Sequence, residues 1–117
     1  MQEKGAGIHE KRAGPAPVEP LSHNGIRYEA LQCGRQRGLD QNGGYIAAID
    51  EETGEELWIL KVYQVTYDDD MEGDVQDVFI VNLTLDEPSG RLMVENEEGM
   101  CYVLDPATRT IDKLTHN

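Results

Sequence analysis

The densest group of side chains able to bind a ligand is the run Asp68-Asp69-Asp70-Met71-Glu72-Gly73-Asp74-Val75-Gln76-Asp77. Within it Asp68, Asp70 and Glu72 alternate ahead of Gly73, and Asp74 follows. Alternation aims carboxylates at a common centre and glycine allows a sharp turn, the layout by which oxygen-rich loops hold Ca2+. The third ligand is Glu rather than Asp or Asn, and Phe79 stands where such a loop supplies its bidentate carboxylate. The cofactor expectation is therefore none, with Ca2+ as the one alternative. The competing reading is a solvated acidic connection that keeps the chain in solution.

A second cluster has the opposite sign. Cys33-Gly34-Arg35-Gln36-Arg37-Gly38 is basic and rich in glycine. Arg35 and Arg37 offer planar forks of donors to an anion. They can equally pair with the chain's own acidic loops, which requires nothing outside the chain. Nucleophilic catalysis has thin material. Cys33 and Cys101 are the two thiols, and His9, His23 and His116 lie in or near the termini. Two cysteines and no apolar leader read as reduced thiols in the cytoplasm. Cys101 sits in an apolar strand and reads as core. No phosphate loop, dinucleotide fingerprint, zinc spacing or nucleophile elbow occurs, so the expectation is a protein that is not an enzyme.

Carboxylates also crowd the connections. Glu51, Glu52, Glu55 and Glu56 surround one turn, and Glu95, Glu97 and Glu98 another. The chain has 117 residues and a formal net charge of −13. Residues 1–38 carry six bases against four acids, whereas residues 39–117 carry four bases against nineteen acids. Phosphate and anionic lipid repel such a surface, which disfavours nucleic acid and membrane as partners. No apolar run reaches the roughly 18 residues of a spanning helix. What fits is a basic protein surface or a small cation. The reading is a protein-binding or inhibitor-type module with Glu51, Glu52, Glu55, Asp69 and Asp77 at its docking surface. The other readings are a Ca2+-binding module, a small-molecule-binding β domain and a homodimer joined through a sheet edge.

The elements that position these groups read as β. Residues 1–24, with Pro15, Pro17 and Pro20, resemble a flexible extension. Residues 25–117 form one β domain. Ile26–Leu31 alternates apolar and polar residues, as a half-buried strand does. Tyr45–Ile49 and Leu57–Tyr67 flank a Thr53-Gly54 turn. The first half of Leu57–Tyr67 is apolar on both faces, which predicts a strand covered on both sides. Val78–Leu85, Arg91–Glu95, Met100–Leu104 and Thr110–Leu114 follow, separated by turn residues. Asp69–Asp77 is the sole and poor helix candidate, weakened by Gly73 and its acids. The fold class is all-β: an antiparallel meander of about six to seven short strands, in a small sandwich or partly open barrel.

Two stretches are alike. Gly44-Tyr45-Ile46-Ala47-Ala48-Ile49-Asp50-Glu51-Glu52-Thr53-Gly54 reads strand and Asp-x-x-Thr-Gly turn, and ends in a second strand at Trp58. Gly99–Leu104 with Asp105-Pro106-Ala107-Thr108-Arg109 repeats it, Arg109 standing where Gly54 does. The Asp carboxylate can cap turn N–H groups and the Thr hydroxyl can bond locally. This pattern resembles the blade repeat of quinoprotein (PQQ-like) β-propellers at Gly44, Ala48, Asp50, Thr53, Gly54 and Trp58. The resemblance implies blade-like hairpins and carries over no quinone-binding residue. On this reading the chain has strands for fewer than two blades, whereas a closed propeller needs at least four. From Arg27 to Ile111 the chain also resembles small acidic bacterial proteins, a likeness that supplies no activity.

Overall fold

Asn24-Gly25 sits between two short apolar stretches, and both residues adopt positive φ, 54° and 78°. Such a pair closes a two-residue hairpin whose twist matches the flanking strands. It joins β1 (Leu21–His23) to β2 (Ile26–Leu31). The computed structural model describes residues 17–66 and 77–114. Beyond β2 come a 3-10 turn over Gly34–Arg37 and then β3 (Tyr45–Asp50) and β4 (Glu56–Lys61). After residues 62–79 follow β5 (Ile80–Asp86), β6 (Arg91–Asn96), β7 (Cys101–Asp105) and β8 (Thr110–Leu114).

The strands make two antiparallel meanders of four, β1-β2-β3-β4 and β5-β6-β7-β8. The protein is therefore all-β and antiparallel as expected, its eight described strands close to the six to seven anticipated. The stretch assigned to the extension by composition contributes β1, so the folded part begins at least four residues before residue 25. Leu57–Tyr67 is shorter than expected: β4 ends at Lys61, and Val62 and Val65 are buried outside the ladder. Val78–Leu85 changes phase, because a bulge between Ile80 and Asn82 leaves Ile80 and Leu83 buried and Val81 exposed.

One core joins the meanders. Tyr28, Ile46 and Ala48 of the first sheet meet Ile80, Leu83, Leu92, Val94, Tyr102 and Leu104 of the second. Tyr28 lies 6.1 Å from the Trp58 ring, and Tyr63 stacks on Tyr102 at 5.3 Å. Ile46, Ile80, Leu92 and Leu104 are wholly removed from water, each contributing about 1.5–3 kcal/mol relative to exposure.

The strand count is even in each sheet, so the connections sort by end. The β1–β2, β3–β4, β5–β6 and β7–β8 turns gather at one end, the turn end. The β2–β3 connection, the β6–β7 turn and residues 62–66 and 77–79 gather at the other, the far end.

Candidate functional site

At the far end the organising residue is Gln41, fully buried. Its Nε2 donates to the carbonyls of Gly43 and Tyr63, at 2.8 and 2.9 Å. Its Oε1 accepts from Val65 N at 2.8 Å and Gln64 Nε2 at 3.1 Å. All of its hydrogen-bonding capacity is used, so it pins the chain after β4 to the β2–β3 connection and leaves nothing for a ligand. Beside it, Asp40 accepts from Tyr45 Oη and from Lys61 Nζ, the latter at 2.7 Å. Those donors hold the Asp40 carboxyl below the usual carboxylate range, Lys61 having the larger influence. Burial, and next the neighbouring Asp40, push the Tyr45 phenol up. Both shifts hold each group in its ordinary protonation state at neutral pH, the reverse of what an acid–base catalyst needs.

Arg37 grips the Glu56 carboxylate, with 2.7 and 2.8 Å contacts from one guanidinium nitrogen. Glu56 opens β4 near the turn end, so the β2–β3 connection folds back along the sheet. Arg35, in the same 3-10 turn, donates its backbone N–H to Asn42 Oδ1. Asn42 in turn donates to Asp77, which is buried at 5% exposure. Among the residues expected at a docking surface, Asp77 is therefore buried at the far end, whereas Glu51, Glu52 and Glu55 are exposed at the turn end. These do not form one surface. Asp68, Asp69, Asp70, Glu72 and Asp74 lie outside the described residues. Among the described residues no three of His, Cys, Asp and Glu cluster so as to hold a metal ion. Cys33 is exposed and Cys101 half-buried. Cys33 follows β2 at its far end, whereas His23 precedes that strand at the turn end, so they form no pair.

The turn end is built by one device used three times. Asp50 Oδ1 accepts from the backbone of Glu52 and Thr53, Thr53 Oγ1 accepts from Glu55 N, and Gly54 N returns to Asp50 O at 2.7 Å. Asp105 Oδ1 accepts from Ala107 N at 3.0 Å, and Arg109 N returns to Asp105 O. The third copy, Asp86-Glu87-Pro88-Ser89-Gly90, returns Gly90 N to Asp86 O at 2.8 Å while Ser89 donates to the Asp86 carboxylate. The sequence placed a turn at Glu87-Pro88-Ser89-Gly90, and the Asp-x-x-Ser/Thr spacing shows it to be a third copy of the device.

Two clefts open between these turns. The larger, about 520 Å³, is lined by Asn24, Gly25, Ile26, Asp50, Glu51, Glu52 and Leu57. Its apolar floor is Ile26 and Leu57, the latter 43% exposed. Glu51 accepts from Ser22 at 2.5 Å, whereas no described residue engages the Glu52 side chain. The smaller, about 320 Å³, lies between the sheets and includes Ile26, Tyr28, Asp105, Pro106 and Ala107. Sequence reasoning identified the Glu51–Glu55 carboxylates but not the clefts, which need the 24–25 turn to neighbour the 50–52 turn in the larger and the 105–107 turn in the smaller.

Compared with known proteins, the chain matches no family model, no curated protein and no solved structure. No helix among the described residues is long and apolar enough to cross a membrane.

Proposed function

We propose that the chain is a non-catalytic binding module that docks its turn end on a basic protein surface. The observation that carries this reading is the larger cleft, where Asp50, Glu51 and Glu52 rim an apolar floor of Ile26 and Leu57. A lysine or arginine side chain is apolar along its stem and charged at its head, and such a cleft matches both parts. Glu55 adds to the same acidic field, and the −13 net charge extends it. Long-range attraction of this kind speeds encounter and is screened over about 8 Å at physiological salt.

The test is capture of partners from lysate on immobilised protein at low salt, followed by association kinetics with the purified partner. Association slows at least about tenfold between low and physiological ionic strength for a steered pair. Glu51→Lys with Glu52→Lys removes the partner, while Glu98→Lys with Asp112→Lys, two exposed residues away from the turn end, retains it. A partner bound equally at all salt concentrations, or held equally by both variants, would sink the reading.

A further inference from the structure

We propose that the two clefts form a single peptide-docking surface. The larger takes the cationic side chain of a lysine or arginine, and the smaller takes an apolar side chain from the same extended segment. This rests on the turn end being the docking face and names what it recognises.

The clefts share Asn24 and Ile26, so they flank the β1–β2 turn, and a chain crossing that turn meets both. Their electrostatics differ. The larger is lined by three carboxylate residues and no base. In the smaller, the lone carboxylate belongs to Asp105, which already accepts from Ala107 N and lies 3.7 Å from Arg91 Nε. His23 and Asn24, also in its wall, are hydrogen-bonded to each other at 3.1 Å. Ile26, Tyr28, Gly90, Pro106 and Ala107 supply the rest together with Ser89. A cation entering there meets compensated charge with Arg91 close by, whereas an apolar side chain covers apolar walls without stranding a polar group. The clefts share two lining residues and so adjoin. At about 3.3 Å of rise per residue, one extended segment reaches both with side chains a few residues apart.

Synthetic fluorescent peptides carrying Lys and Leu separated by one, two or three residues test this by anisotropy, against versions with either residue replaced by Ser. At the best spacing the Lys–Leu peptide binds at least about tenfold more tightly than either single-feature peptide. Raising the salt weakens the Lys preference and leaves the Leu preference standing. Ala107→Trp fills the smaller cleft and cancels the Leu preference alone, and Ala107→Glu does the same by placing a charge there. Ala107 is an exposed turn residue, and unchanged melting of either variant certifies the fold. Glu51→Lys with Glu52→Lys cancels the Lys preference alone. Salt-sensitive binding of Lys peptides with no gain from Leu at any spacing, or a Leu gain indifferent to both Ala107 variants, overturns the proposal and leaves the docking function standing. Absence of binding by every basic peptide and every basic protein overturns both.

Discussion

Gln41 holds together a part of the chain that the ladder does not reach. Its four hydrogen bonds tie Gly43, Tyr63, Gln64 and Val65 into one unit. Replacing it by Leu strands two carbonyls and the Val65 amide in a dry site. Each buried unsatisfied group costs about 1–3 kcal/mol, so Gln41→Leu lowers unfolding free energy by at least about 3 kcal/mol in urea titration. Asp40 and Tyr45 set the pH response beside it. A carboxyl held low stabilises the fold above its ordinary range and loses that contribution as acid protonates it. A phenol held high stabilises the fold below pH about 10 and loses it as alkali ionises the unfolded chain's tyrosines first. Tyr28 and Tyr102 are pushed up in the same way, by burial. Melting temperature therefore falls on both sides of a neutral plateau. Asp40→Asn flattens the acid limb, and Tyr45→Phe reduces the alkaline one. None of this was legible in the sequence, because a glutamine's spacing carries no trace of the carbonyls it will meet.

Turns were the more readable elements, since their chemistry is local. The Asp-x-x-Thr-Gly pattern announced the β3–β4 turn, and Asp50 caps it as its residue type suggests. Arg109 is the informative exception. It takes φ 58° where Gly54 takes 76°, a left-handed conformation that costs a side-chain-bearing residue about 1–2 kcal/mol. Arg109→Gly is thus expected to raise thermal stability by about 0.5–1 kcal/mol. A fall in melting temperature would falsify this account of the turn. The strand Ile26–Leu31 has the bounds that alternation predicts, and Thr110–Leu114 those that the preceding Asp105–Thr108 turn predicts. Leu21–His23 escaped because proline-rich neighbours hide three residues, although Asn24-Gly25 is among the strongest hairpin signals a sequence offers. The phase of β5 escaped for another reason. A bulge moves side chains to the opposite face without changing composition.

At the scale of the whole molecule, the sequence implied antiparallel β structure and an acidic body. The packing of the two sheets rests on residues far apart in the chain, such as Ile46 and Leu104, sharing one core. Local patterns do not record such packing. Since neither sheet has a core of its own, unfolding is expected to be one transition by both tryptophan fluorescence, from the first sheet, and far-ultraviolet dichroism, from both. Leu104→Ala, in the second sheet, costs about 2–5 kcal/mol and moves both probes together. Separate midpoints would show the meanders to be independent.

The even strand count has a practical side. Each sheet begins its first strand and ends its last at the same end, so Leu21 and Leu114 both lie there, beside residues 62–66 and 77–79. The tip opposite is made of tight turns alone. A tether or label on the exposed Cys33, at the far end, therefore acts as a handle and leaves the turn end clear. The same polarity makes the far end the place where length can be added, while the tip admits substitution but little insertion.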